Sequence, residues 1–385
     1  MSGAPTDAFE SILNIPPLFL VLESEAIIEN FRAETSEYEE VKKLCDSKLK
    51  IKYQNYQVLN INLVDKSLSK HTGDIKYDSE RPSRQDWTLN ESSLLNKYGQ
   101  IWYTDGSKTD NGVGAAIFNE ETDHKEGIYL GGLATVFQAE VVAITMCAKR
   151  VLENGTMGTS IAICSDSEAA IKALSKSEIK SKAVWECHEN LQMVGKNNDL
   201  SLVWIPGHSG YKGNEIVDKL AKKASNNTSF GPEPFIGVSN GTIKAEKQRW
   251  LRENFIDYWA KAPKMKHSKR MISIPNSNDS NRLIKMSKNS LRIYTMFLTG
   301  HGIFKDHLRK MGLVEDKKCR FCDAADETAD HLLGGCRRYD YERCILFGNL
   351  KVTSRRYSLI NFKDIEMYLK KTKLLSKFLE FDSTT

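Results

Sequence analysis

Eight cysteines in 385 residues are too few and too scattered to frame a disulfide scaffold. Cys147, Cys164 and Cys187 lie in apolar segments and read as reduced core residues. Long apolar runs are missing as well. The most apolar early stretch, Ile12 to Leu22, contains Pro16 and Pro17 and falls short of the roughly 20 residues a spanning helix needs. The opening Met1-Ser2-Gly3-Ala4-Pro5-Thr6-Asp7 has no basic n-region of a secretory signal. Together these absences predict an intracellular, reducing compartment, with nucleus and cytoplasm left undistinguished and no membrane as partner.

What is present reads as soluble and globular, with 40% apolar and 27% charged residues. The length suggests two or three domains. The net charge of +5 hides an asymmetry, because residues 241–318 hold 18 Lys and Arg against 7 Asp and Glu. That block is +11 and the remainder is −6. A basic block beside acidic residues suits a polyanionic partner. An ordinary solvated basic surface is the alternative.

In chain order, residues 1–96 read as an N-terminal extension and linker. Ala26, Ile27, Ile28 and Phe31 mark one helical face, and an acidic stretch follows through Glu40. Residues 67–98 are polar and turn-rich around Arg81-Pro82-Ser83 and are expected to be a linker. Three strands are predicted within 99–131, at Gln100 to Thr104, Gly112 to Phe118 and Ile128 to Leu130. Val136 to Glu153 has helical apolar spacing. A strand at Thr159 to Cys164, helices at Ala169 to Leu174 and Lys182 to Val194, a strand at Leu200 to Ile205 and a helix at Glu215 to Ala224 complete residues 97–228. This order fits an α/β domain with a mixed five-stranded sheet and helices on its faces.

Four carboxylates stand at the joints of these elements. Asp105 follows an apolar strand in Tyr103-Thr104-Asp105-Gly106-Ser107, with a Gly-Ser turn expected after it. Glu140 lies in Phe137-Gln138-Ala139-Glu140, Asp166 in Cys164-Ser165-Asp166-Ser167, and Asp218 in Gly213-Asn214-Glu215-Ile216-Val217-Asp218. Converging carboxylates repel unless cations neutralise them, and hard oxygen ligands are what Mg²⁺ prefers. Two such ions can activate a water and stabilise the leaving oxygen of a phosphodiester displacement. Asp105 is assigned as the bridging ligand, with Glu140 and Asp166 on one metal and Asp218 on the other. His208, in Trp204-Ile205-Pro206-Gly207-His208-Ser209-Gly210, is flanked by turn-formers, and an imidazole titrating at about 6.5 can shuttle protons.

Order, spacing and flanks of these motifs resemble ribonuclease H type 1 over about residues 97–226. The resemblance implies endonucleolytic cutting of the RNA strand of an RNA–DNA hybrid with Mg²⁺ or Mn²⁺, the hybrid being read across its minor groove. It marks Thr135, Gln138 and Asn214 as nucleic-acid contacts. Thr135-Val136-Phe137-Gln138 departs from the amide-bearing Thr-Asn-Gln or Thr-Asn-Asn of cellular members. The basic handle helix of some bacterial members is missing, since little lies between Leu174 and Lys182. Weaker intrinsic hybrid binding is expected. An Asp-Asp-Glu transposase or integrase on the same fold is disfavoured by Glu140 in second place and Asp218 last.

Residues 229–385 read as a basic helical region with a Cys/His cluster. Ile243 to Lys261 and Leu283 to Leu298 are expected helices. Trp250, Leu251, Phe255, Tyr258 and Trp259 either stack on bases or form the inner face of the first. Thr299-Gly300-His301-Gly302 precedes Cys319-x2-Cys322-x8-His331-x4-Cys336. Three thiolates and an imidazole so spaced suit a structural Zn²⁺ and resemble a zinc knuckle with a longer central loop. His307 and Cys344 are alternative ligands. This tail, with Ala4-Pro5-Thr6 and Ile15-Pro16-Pro17-Leu18 at the start, resembles insect-type non-LTR retrotransposon polyproteins. No Tyr-x-Asp-Asp polymerase motif occurs, so the resemblance implies a chain lacking the polymerase, with a separate reverse transcriptase as partner. The alternative function is a non-catalytic nucleic-acid-binding remnant.

Overall fold

The structure is a computed structural model that describes residues 6–34, 43, 64–66, 69–227, 236–263, 265–349, 351–352 and 362–382. The acidic stretch through Glu40 and the pair Ala4-Pro5 lie outside the described residues. The chain divides into two compact units, residues 26–247 and residues 1–25 with 248–385.

The first unit is built on a mixed sheet. Its strands are β1 (Lys70–His71), β2 (Asp78–Glu80), β3 (Gln100–Thr109), β4 (Gly112–Asn119), β5 (Lys125–Tyr129), β6 (Ser160–Ser165), β7 (Glu178–Ile179) and β8 (Asp199–Trp204). Six of them form one sheet in the order β2-β8-β6-β3-β4-β5. β3, β4 and β5 are an antiparallel meander, while β6, β8 and β2 run parallel to β3. The small pair β1–β7 stands apart.

Period-two patterning puts a core on each face of the sheet. Ile161 and Ile163 of β6 join Trp102, Ile117 and Leu202 on one face. Ala162 and Cys164 join Tyr103, Phe118 and Val203 on the other. Every residue of β4 is buried, as expected of a strand covered on both sides. Among the described residues, five helices lie wholly within this unit: α1 (Arg84–Leu95), α2 (Val136–Glu153), α3 (Glu168–Leu174), α4 (Lys182–Gly195) and α5 (Lys212–Asn226). The first core takes its helical residues from α2, α3 and α4, and the second from α1 and α5. Cys147, Cys164 and Cys187 are buried and free, as read from their apolar settings.

Two expectations need correction here. The sheet has six strands rather than five. Residues expected to form a linker supply the extra one: β2 pairs in parallel with β8 through Asp78↔Ser201, Ser79↔Leu202 and Glu80↔Val203. Polar composition concealed this because only three residues pair and their side chains are largely exposed. Around β2 the same segment is anchored by two aromatics. Tyr77 Oη donates to the Leu174 carbonyl at 3.0 Å and lies 2.7 Å from His188 Nδ1. Trp87 is fully buried, and its indole N–H donates to the Trp204 carbonyl at 3.0 Å.

The second unit is helical. Its core gathers Trp259, Leu283, Tyr294, Phe297, Phe304, Tyr368 and Phe378. The helix expected from Leu283 to Leu298 is two helices, Ser277–Ile284 and Lys288–Thr299. Ser287 caps the second, accepting from the Ser290 N–H, which is why the chain breaks there. In the helix Asn240–Lys261, Trp250, Phe255 and Trp259 are buried, so these three serve as an inner face. No single described helix is long and apolar enough to cross a membrane, and Thr6–Leu13 with Leu18–Ala33 reaches that length only as a pair bent by 62°.

Candidate active site and a candidate metal cluster

Asp105 sits within β3 rather than at its end, opposite Ala116 of β4. The Gly-Ser pair after it is strand, not turn; the turn comes at Asp110-Asn111. Gly106 has another use. A Cβ there would lie 2.6 Å from the Glu140 nitrogen and 2.8 Å from the Ala139 carbonyl carbon, so only glycine lets α2 approach the strand this closely. The Gly106 backbone lies close enough to both Asp105 and Glu140 to favour their ionised forms, against the burial that opposes them.

Thr135 and Gln138 start α2 with a reciprocal capping box. This sets Glu140 in the first turns with its carboxylate toward Asp105. β6 ends one residue before Asp166, and Ser167 then caps α3. One carboxylate oxygen from each of Asp105, Glu140 and Asp166 lies within 4.8 Å of the others. Asp218, on α5, faces the same group: it adds to the repulsion felt by Asp105 and Asp166. Its Oδ2 pairs with Lys222 Nζ at 2.6 Å.

The electrostatics follow from burial and like charge. Burial first, then the neighbouring Asp166 and Asp218, pushes the Asp105 carboxyl up to about 7. Burial and the charges of Asp105 and Asp166 raise Glu140 well above the usual carboxylate range. Asp166 is raised mainly by burial, opposed by a hydrogen bond from Asn214 and by His208. Carboxylates raised in this way need a compensating cation to ionise together. Glu140 Oε2 is buried and has no hydrogen-bond partner among the described residues, and Asn214 Oδ1 shares that condition. Such orphaned acceptors inside a carboxylate cluster fit a hard divalent cation.

His208 is exposed in the loop after β8, with φ of +51°. Gly207 leaves no room between that loop and Asp166, since a Cβ there would lie 2.6 Å from Asp166 Oδ2. The structure therefore brings Asp105, Glu140 and Asp166 together, with Asp218 and His208 close enough to act on Asp166 through their charge.

The three expected nucleic-acid contacts fare differently. Gln138 is 1% exposed. Its Oε1 accepts from Thr135, and its Nε2 donates to the Gly237 carbonyl at 2.8 Å and to Asp65 at 3.2 Å. It is an internal tie rather than a surface contact. Thr135 spends its hydroxyl on the cap. Asn214 is buried and bonds Asp166, so it orients a site carboxylate. Lys222 was missed, although its i+4 spacing from Asp218 could have revealed it. Asp65 was missed too, and no local pattern marks it.

In the helical unit the four expected Cys/His ligands converge. Cys319, Cys322, His331 and Cys336 each offer an atom within 4.8 Å of the others. Cys319 Sγ and Cys336 Sγ are 3.9 Å apart, and Cys322 Sγ is 3.2 Å from His331 Nε2. The Cys322 and Asp323 N–H groups both donate to the Cys319 carbonyl, folding the Cys-x2-Cys turn, with Asp323 at φ of +53°. The bond between Cys336 and Cys319 holds the Cys319 thiol far below its ordinary range, so one thiolate is favoured before any metal arrives. The alternatives lie elsewhere: His307 packs on His301 with ring centroids 4.9 Å apart, and Cys344 is exposed.

Comparison with known proteins adds a family to this α/β domain and its carboxylate cluster. Residues 97–226 match the RNase H family and form an RNase H domain. The chain is 27% identical over 217 residues to the "Retrovirus-related Pol polyprotein from type-1 retrotransposable element R1" of Popillia japonica, covering 54% of this chain and 78% of that protein. It is 27% identical over 143 residues to a ribonuclease H of Polynucleobacter asymbioticus, covering 32% and 87%. A ribonuclease H of Francisella philomiragia is 38% identical over 53 residues, covering 14% of this chain and 33% of that protein.

Proposed function

We propose that the chain hydrolyses the RNA strand of RNA–DNA hybrids endonucleolytically. The observation that carries this is the convergence of Asp105, Glu140 and Asp166 within 4.8 Å inside an RNase H domain, with a buried Glu140 oxygen left unpartnered. Asp105, Glu140 and Asp166 would hold one Mg²⁺ or Mn²⁺, and Asp105 with Asp218 a second. Ions bound there supply an activated water and neutralise the charge that develops on the phosphate. Asn214 keeps Asp166 turned toward its partners. Lys222 neutralises Asp218 until a cation replaces it. His208, exposed beside Asp166, is placed to carry protons to and from solvent. The likeness to a retrotransposon polyprotein supports an origin in such an element and a reverse transcriptase as working partner. A non-catalytic remnant is the weaker reading, because remnants have no need to keep all five residues in place.

In the same reading Cys319, Cys322, His331 and Cys336 hold a structural Zn²⁺, supported by three thiols and one imidazole at ligand distance. The basic region 241–318 would then grip phosphates.

Asp166→Asn keeps shape and removes one ligand charge. Losing a metal ligand forfeits several kcal/mol of transition-state stabilisation, so kcat on a labelled hybrid should fall by about a thousandfold. Hybrid binding in Ca²⁺ should hold, because backbone and sugar contacts dominate it. His208→Ala should cost only about ten- to a hundredfold. Near-normal cleavage by Asp166→Asn would remove the site.

A further inference from the structure

The carboxylate of Asp65 is a heavily committed buried acid outside the site just described. It is 7% exposed. Its Oδ1 accepts from Ser181 Oγ at 2.8 Å and from the Ala183 N–H at 3.1 Å, at the start of α4. Its Oδ2 accepts from Gln138 Nε2 at 3.2 Å. The Asp65 N–H donates to the Val238 carbonyl at 2.9 Å, beside a parallel bridge between Val64 and Val238. Gly237 permits this contact, because a Cβ there would lie 2.6 Å from the Asp65 nitrogen. One buried acid from far upstream therefore joins the first turns of α2 and α4 to a segment downstream of α5.

What Asp65 holds decides its role. Gln138 stands two residues before Glu140 and has no freedom of its own. Its Oε1 is fixed by Thr135, and its Nε2 by Asp65 and Gly237. The Glu140 end of α2 is pressed against Gly106 at closer than ordinary van der Waals distance for any side chain. Position along and around this helix is thus set by Gly106 on one side and by the Asp65–Gln138 bond on the other. A negative charge at the start of α4 is also favoured by the helix dipole.

We propose that Asp65 is a positioning residue for the carboxylate cluster, acting through Gln138 to hold Glu140 where a divalent ion needs it. The inference rests on the functional reading above. Residues 64–66 and 236–238 then belong to the working nuclease although they lie outside the family-matched segment. Asn in place of Asp65 keeps its oxygen toward the Ala183 N–H, which can only donate, and so turns its amide N–H₂ toward the Gln138 N–H₂. Gln138 cannot flip in answer without losing Thr135 and facing the Gly237 carbonyl with oxygen.

The test uses the full chain, metal-free, titrated with Mn²⁺ by calorimetry, and the same protein assayed on a labelled hybrid. Asp65→Asn should bind Mn²⁺ about tenfold more weakly, as expected when a group supporting a ligand is lost. Its kcat should fall by a similar factor, with KM for the hybrid within twofold. Gln138→Met cuts the same bond from the other side, along with those to Thr135 and Gly237, and should give at least the same loss. The double variant should be no worse than Gln138→Met alone, because the Asp65–Gln138 bond is already gone there. Ser181→Ala, which leaves the Gln138 bond intact, should keep Mn²⁺ affinity within threefold. Melting curves make each comparison one between folded proteins, and Gln138→Met carries the test if Asp65→Asn fails to fold. Mn²⁺ affinity within twofold of wild type in both single variants, or fully additive losses in the double, overturns the proposal. If wild type binds Mn²⁺ yet does not cleave hybrid, the nuclease reading fails while the affinity ratio still judges Asp65. If wild type binds no Mn²⁺, both fall.

Discussion

Gly106→Ala is the sharpest single test of how the site is assembled. The added methyl carbon would lie 2.6 Å from the Glu140 nitrogen, where ordinary contact begins at 3.4 Å, so α2 must retreat by about 0.8 Å. The obstacle is backbone and the Ala139 methyl, neither of which can swing aside. Overpacking of this kind costs about 1–3 kcal/mol of stability. For a unit of this size that lowers the melting temperature by roughly 2–10 °C. The effect on catalysis should be larger than the effect on folding. Displacing a ligand by close to 1 Å can cost about a hundredfold in rate. The assay is initial cleavage rate on a labelled hybrid at saturating Mg²⁺, beside a thermal melt in EDTA. Cleavage at the wild-type rate with an unchanged melt would refute the close approach of α2 to β3, and with it the stated reason for glycine there.

Three other outcomes are expected. In metal-free protein the Asp105 carboxyl is raised to about 7, so between roughly pH 4 and 7 the folded state binds more protons than the unfolded one. Its stabilising contribution is full below pH 4 and is lost as pH rises through 7. Melts in EDTA should therefore fall more steeply with pH for wild type than for Asp105→Asn, and equal slopes would contradict the burial and repulsion described. Purified protein should carry about one Zn²⁺ per chain, held as tightly as closed thiolate sites hold it. Cys322→Ser should release it and speed hydrogen exchange over residues 310–345, whereas zinc-free protein prepared under reducing conditions would end that reading. A fragment of residues 26–247 should still cleave, but its hybrid affinity should drop and its dependence on salt should flatten as phosphate contacts are lost. An unchanged salt slope would make the basic block ordinary surface.

Much of the RNase H domain was legible because its signals are local. The helix expected at Val136–Glu153 is found with those bounds, since apolar spacing marks its face, and the Thr135–Gln138 cap that fixes its start is seen only in the structure. The four acids announced themselves by their flanks. Gly106 was misread because a Gly-Ser pair is most often a turn, and only the packed helix reveals why the strand runs on. The sixth strand was hidden for a related reason. β2 is short, polar and largely exposed, and its place is fixed by Tyr77 and Trp87 through contacts more than a hundred residues away in sequence. Gln138 looked like a surface amide because nothing near it in sequence shows that Asp65 and Gly237 close over it. In the second unit, the Cys/His spacing was enough to bring all four ligands together. The break before Lys288 was missed because Ser287 reads as an ordinary polar position within a helical pattern.

The short strand β2 also bears on how the protein can be handled. Its three residues cover the outer side of β8, which would otherwise present a row of free N–H and C=O groups at the sheet margin. Exposed margins of this kind recruit strands from other molecules. A clone cut to the family-matched residues 97–226 would discard β2 together with the Trp87 plug and bare that margin. Such a clone is expected to form inclusion bodies, while one beginning ahead of Val64 stays dispersed. Laboratory boundaries for this domain should follow the hydrogen bonding of β8 rather than the reach of sequence similarity.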